Sequence, residues 1–90
     1  MWAIEYDEKA AEELAKLDRQ SARRIKKYLD ERIAPCDDPR KFGEGLKANL
    51  SGLWRYRVGD FRIIAEIQDR RVVVLVVRIG HRSRVYDRVK

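Results

Sequence analysis

Leu53-Trp54-Arg55-Tyr56-Arg57-Val58-Gly59-Asp60-Phe61-Arg62-Ile63-Ile64 is the stretch that decides the fold. Apolar and polar residues alternate on both sides of Gly59-Asp60, which reads as two half-buried strands because successive side chains on a strand point to opposite faces. A two-residue connection with glycine first is what a type II′ hairpin turn prefers. The turn fixes the register: Val58 must face Phe61, and one step back along each strand makes Arg57 face Arg62. Trp54, Tyr56 and Val58 then share a core face with Phe61, Ile63, Ala65 and Ile67, while Arg55 and Arg57 share the other face with Arg62, Ile64 and Glu66.

Downstream, Gln68 to Arg71 makes a turn, and Val72 to Ile79 is a continuous apolar run that predicts a central strand covered on both faces, ended by Gly80. The tail from His81 to Lys90 is short and basic, with room for about one turn of helix. Upstream, Trp2, Ile4 and Tyr6 alternate with Ala3 and Glu5 as an opening strand. Asp7 caps a helix with apolar positions Ala10, Ala11, Leu14 and Leu17, in which Glu12 stands four residues before Lys16. A second helix runs from Asp18 or Ser21 towards Ile33, with Ile25, Tyr28, Leu29 and Ile33 as its buried stripe, until Pro35 and Pro39 stop it. Its basic side, Arg19, Arg23, Arg24, Lys26 and Lys27, reads as a solvated face partly paired through Lys26 with Asp30 and Lys27 with Glu31. Residues 35–52 form a connection pinned by Phe42, Leu46 and Leu50, and a helical turn around 45–50 would relieve its unusual length.

The expected architecture is α+β in the order β-α-α-β-β-β, with two N-terminal helices packed on one face of a largely antiparallel four-stranded sheet. Ninety residues, 44% of them apolar, bury one core and not two, so residues 1–90 are expected to be a single domain. No run of 18 apolar residues and no basic-then-apolar opening occurs, which argues against a membrane span or a secretory signal. Cys36 is the only cysteine, so no internal disulfide forms and a cytoplasmic location is expected. One histidine and one cysteine do not make a transition-metal cage, and neither metal nor cofactor is expected.

The net charge of +6 favours a polyanionic partner. Residues 1–45 carry ten Lys/Arg against eleven Asp/Glu, and residues 46–90 carry eleven against four, so the basic character belongs to the second half. Three arginines on one sheet face, two of them directly opposed, need screening or an anion, since opposed like charges destabilise a sheet. Arg78, His81, Arg82 and Arg84 lie at or beyond the end of the next strand and extend the set toward a rigid phosphate site. Spacing alone leaves a second reading open, in which these arginines only solubilise the sheet, Tyr86 is a core or rim aromatic, and His81 is structural or solvated.

The hairpin segment, the valine-rich strand after it, and Gly80-His81-Arg82-Ser83-Arg84-Val85-Tyr86 closely resemble the RelE branch of the RelE/ParE toxins of type II toxin-antitoxin systems. The resemblance covers nearly the whole chain, including the opening strand, the helix from Ala10 to Leu17, and Pro39 with Leu46, Leu50 and Gly52. It implies an mRNA interferase, an endoribonuclease that cuts messenger RNA in the ribosomal A site and is silenced by a cognate RelB-like antitoxin. Residue by residue it implies Arg55, Arg57, Arg62, Arg82 and Tyr86 as site residues. Arg57, Arg62, Arg82, Tyr86 and, for its pKa, His81 are the catalytic candidates, and Arg55, Lys47, Arg78 and Arg84 are the RNA-binding candidates. On that reading the RNA's own 2′-hydroxyl attacks the adjacent phosphorus, with Arg57 and Arg62 stabilising the phosphorane and Arg82 assisting the leaving 5′-oxygen. Tyr86 serves as base or stacks on a nucleobase, and His81 suits either proton role. ParE toxins share the fold, act on DNA gyrase and generally lack the full arginine set. A gyrase inhibitor without RNase activity, or a non-catalytic nucleic-acid or phosphate-binding domain, is therefore the alternative.

Overall fold

A computed structural model describes residues 1–85. The elements are β1 (Ala3–Tyr6), α1 (Glu8–Lys16), α2 (Arg19–Tyr28), β2 (Glu44–Gly45), β3 (Trp54–Val58), β4 (Phe61–Gln68) and β5 (Val73–His81). They build one sheet in the order β1-β5-β4-β3-β2, parallel between β1 and β5 and antiparallel elsewhere. The β3–β4 hairpin has the register its turn dictates, with Val58 opposite Phe61 and Arg57 opposite Arg62. Gly59 sits at φ +60, the left-handed conformation that a first turn position demands and that glycine adopts without a Cβ clash.

The sheet has five strands where alternation predicts four. The additional one, β2, is two residues long and pairs Glu44 with Arg55 and Gly45 with Trp54. Two residues carry no readable period. Gly43, at φ +70, leads into it, and a Cβ there would collide with the Arg55 carbonyl oxygen. The connection holding β2 also contains short 3-10 turns at Pro39–Lys41 and Ala48–Leu50. Polar tips of sheet aromatics hold it, beyond its own apolar residues. Tyr56 Oη donates to the Pro39 carbonyl at 2.9 Å, Trp54 Nε1 to Phe42 O at 2.6 Å and Trp2 Nε1 to Asp37 O at 3.3 Å. Arg40 adds a two-pronged pair to Asp69 at 3.0 and 2.8 Å, tying the connection to the β4–β5 turn.

Helix α1 starts where Asp7 predicts, with Asp7 accepting from the Ala10 N–H at 2.9 Å; α2 starts at the earlier of its two expected positions, with Asp18 accepting from the Ser21 N–H at 3.0 Å, each satisfying a first-turn donor. Helix α2 continues through one wide π turn, Leu29–Ile33, where the Ala34 N–H reaches Leu29 O at 2.9 Å. Leu29 and Ile33 are buried there, and Pro35 follows. Ala10, Ile25, Leu29 and Ile33 pack with Tyr56, Ile63, Val74, Val76 and Ile79 into one core on a single face of the sheet. Burying each of the larger aliphatic side chains there contributes about 1.5–3 kcal/mol.

Strand β5 differs from the expectation at both ends. Val72 lies outside it, exposed in the turn at φ +55. At the other end Gly80 does not stop the strand, which runs on to His81. Between them a bulge shifts the pairing, since Ile64 faces Arg78 while Ala65 faces Val76. Among the described residues no helix is long and apolar enough to cross a membrane.

Candidate nucleic-acid interface

The hairpin end of the sheet gathers three of the predicted residues. Arg57 and Arg62 are opposed Cα partners, and Arg62 in turn faces Gly80 on β5. Arg62 Nη1 donates to the carbonyls of Gly59 at 3.0 Å and Phe61 at 2.9 Å, which fixes its guanidinium over the turn. Its Nε and Nη2 have no protein acceptor among the described residues. Arg57 stays 62% exposed and makes only a long ion pair, with Nη2 4.0 Å from Glu44 Oε1. Arg82 is brought in by its backbone, whose N–H donates to Asp60 O at 2.8 Å, while its side chain is exposed. Val85 is buried and lies so close to Gly80 that a Cβ on the glycine would stand 3.3 Å from the valine Cβ. The segment after β5 therefore folds back beside Arg62.

The other candidates lie elsewhere. Arg55 is largely buried and paired with Glu44 at 2.7 Å. Lys47 is exposed beyond β2, near the end of β3 remote from the hairpin. Arg78 leaves the sheet for α1, where its Nη1 is 3.7 Å from Glu13; the same carboxylate accepts the Ile79 N–H at 2.9 Å. His81 is opposite Phe61 and packs edge-on against its ring, with centroids 6.2 Å apart. That places it on the helix side of the sheet, across from Arg57 and Arg62. Its Nδ1 accepts from the Ser83 N–H at 3.3 Å and lies 2.9 Å from Ser83 Oγ. Arg78, His81 and Arg84 line a cleft of about 650 Å³ between α1 and the end of β5. Tyr86 lies outside the described residues.

Two acidic partners escaped the sequence reading. Glu44 was hidden because its strand is two residues long, and Glu13 because nothing in helical spacing marks a carboxylate that reaches a strand edge. The expected Lys26–Asp30 and Lys27–Glu31 pairs do not close among the described residues. At the opposite end of the sheet charges are matched. The Arg40 guanidinium holds the Asp69 carboxyl below its usual range, and Lys41 does the same for Asp37 at 2.9 Å. Rigid, uncompensated guanidinium groups are suited to phosphate, which they meet with planar forks of donors.

Comparison with known proteins places the chain in a family. A family model for the ParE toxin of type II toxin-antitoxin systems matches residues 4–86. Toxin RelG of Mycobacterium tuberculosis is 31% identical over 51 residues, 57% of this chain and 59% of that protein, so the match spans about three fifths of the relative. Among solved structures, the RelBE2 toxin-antitoxin complex of M. tuberculosis superposes with a TM-score of 0.82 at 22% identity, covering 91% of this chain and 92% of the other. The isolated RelE toxin of E. coli gives a TM-score of 0.73 at 22% identity, covering 90% and 84%. With residues 4–86 matched by the family model and the fold shared with RelE toxins, the chain belongs to the RelE/ParE superfamily of type II toxins and resembles its RelE branch.

Proposed function

We propose that the chain is a ribosome-dependent endoribonuclease that cuts messenger RNA in the ribosomal A site. The observation that carries this reading is the hairpin end: Arg57 and Arg62 opposed, Arg82 tethered to the same turn, and no carboxylate paired with Arg62 or Arg82 among the described residues. In this reading the RNA 2′-oxygen attacks the adjacent phosphorus, the bond to the 5′-oxygen breaks, and the products are a 2′,3′-cyclic phosphate and a 5′-hydroxyl. Arg62 and Arg57 carry the extra negative charge of the phosphorane, and Arg82 polarises the departing 5′-oxygen, which takes its proton from solvent water. The 2′-hydroxyl proton goes to Tyr86, since His81 packs against Phe61 on the other side of the sheet. That task needs a lowered tyrosine pKa, and positive charge near a phenol acts in that direction. Arg84 and Lys47 lie outside this cluster and supply general attraction to the RNA backbone, whereas the charges of Arg55 and Arg78 are matched by Glu44 and Glu13.

The reading includes a cytoplasmic location, where ribosomes are, and a RelB-like antitoxin. Solved relatives include RelE–RelB complexes from E. coli, Pyrococcus horikoshii and Methanococcus jannaschii. The test is induction of the wild-type chain and of Arg62→Ala in bacteria, with the 5′ ends of cellular messengers mapped and DNA supercoiling followed in parallel. Cleavage inside translated codons that disappears with Arg62→Ala supports the nuclease. Growth arrest with intact messengers and altered supercoiling moves the assignment to a gyrase inhibitor.

A further inference from the structure

A second basic site lies around the edge of β3 from the hairpin face. Arg24 and Lys27 of α2, Arg32 of the π turn, and Arg57 line an open groove of about 450 Å³ whose floor is Tyr28 and Gly59. Glu31 is its one carboxylate. None of Arg24, Lys27 and Arg32 has an ion-pair partner among the described residues. The groove is built in three respects. The Arg24 guanidinium lies so close over Gly59 that a Cβ there would be 2.8 Å from Nη1. The Tyr28 ring is steadied by Tyr56, with centroids 6.2 Å apart, and Tyr56 is itself anchored to Pro39. The Arg32 guanidinium lies 6.0 Å from the centre of the Tyr28 ring.

We propose that this groove is a nucleotide subsite for the RNA strand that crosses the hairpin, with Arg24, Lys27 and Arg57 holding a phosphate and the Tyr28–Arg32 pair receiving the adjoining base. Resting on the RNA-directed reading above, it extends that site to the helix side. The chemistry favours RNA over an acidic peptide. Guanidinium forks serve either, but a fixed ring paired with a planar guanidinium is the platform that single-stranded bases stack on. Arg57 belongs to both places, because its strand position is on the hairpin face and its exposed side chain lines the groove. A strand bound in both would pass around the hairpin with Arg57 as the shared cation.

The test measures affinity for a fluorescent 2′-O-methyl oligonucleotide, which has no 2′-hydroxyl to attack, as a function of salt. Three proteins are compared: wild type, Arg24→Ala/Lys27→Ala, and Arg19→Ala/Arg23→Ala. The last pair removes the same charge from the same helix outside the groove. The groove variant should bind on the order of tenfold more weakly at low salt, with a slope of log affinity against log salt shallower by ~0.7 for each phosphate it no longer neutralises. The control pair should keep the wild-type slope. Equal losses in both pairs, or no loss in the groove pair, overturn the proposal. So does a polyglutamate peptide that depends on Arg24 and Lys27 while the oligonucleotide does not. Messenger cleavage on induction is scored separately. If the wild-type chain cuts no messenger, the nuclease reading falls while the oligonucleotide slopes still report on the groove; if cutting persists and the slopes do not differ, the groove alone falls.

Discussion

Arg57 and Arg62 face each other across the β3–β4 hairpin, yet their guanidinium groups turn different ways. Arg62 is clamped by two carbonyls of its own turn, whereas Arg57 projects past the strand edge. Their separation lowers the repulsion that direct opposition imposes, and a phosphate between them would lower it further.

Arg62→Ala should therefore separate activity from stability. Messenger cleavage is expected to fall on the order of 10²-fold or more, as when one charge-stabilising donor is removed. Stability in urea should stay within about 0.5 kcal/mol of wild type, since removing a like charge offsets the absence of two surface hydrogen bonds. A loss above about 1 kcal/mol in urea would instead make Arg62 a structural residue.

Tyr56→Phe removes the hydroxyl that holds the connection at Pro39 O. The buried carbonyl loses its donor, and a destabilisation of about 1–3 kcal/mol is expected. Urea unfolding measures it directly, and Trp54 fluorescence should report a loosened connection, because the indole is bonded to Phe42 O in the same segment.

Stability should also fall at alkaline pH. Burial raises the Tyr6 phenol to about 12, with Asp30 adding to the effect, and burial likewise raises Tyr56 and Tyr28. Unfolded tyrosine ionises near pH ~10. Above that value the unfolded chain gains ionisation that the folded chain resists. The contribution is complete below pH ~10 and is lost as pH rises toward the folded values. Urea midpoints should decline across this range as the tyrosinate absorbance of the unfolded chain grows; midpoints that stay level while tyrosinate forms would contradict the assignment.

Glu13 reaches from α1 to the N–H of Ile79 on a stretch of β5 that β1 does not cover. Glu13→Ala should speed amide exchange at Ile79, whereas Glu13→Gln, which keeps an acceptor oxygen, should restore most of the protection. Equal exchange in both variants would show that the side-chain bond does not guard the edge.

Sheet register and helix starts were legible because each rests on a local rule. Gly59-Asp60 sets the pairing of Arg57 with Arg62, and Asp7 and Asp18 each satisfy amides in their own first turn. Strand β2, the reach of Glu13 and the anchoring of Pro39 by Tyr56 were not legible. Each joins residues distant in sequence through a polar atom, and periodicity carries no information about polar atoms. The site divided in the same way. Alternation along the hairpin put Arg57 and Arg62 on one face, but the bulge at β5 and the pairing of Arg78 with Glu13 sent part of the expected cluster to the α1 cleft.

Uneven charge matching along the sheet makes the molecule electrically lopsided. Arg40 with Asp69, Lys41 with Asp37 and Arg71 with Glu5 pair around the β4–β5 turn, while around the hairpin Arg24, Arg62 and Arg82 have no carboxylate partner among the described residues and Arg57 has only a long contact to Glu44. A polyanion approaching from solution is turned toward the hairpin before it touches the protein, so orientation is selected during diffusion and enters the association rate more than the final affinity.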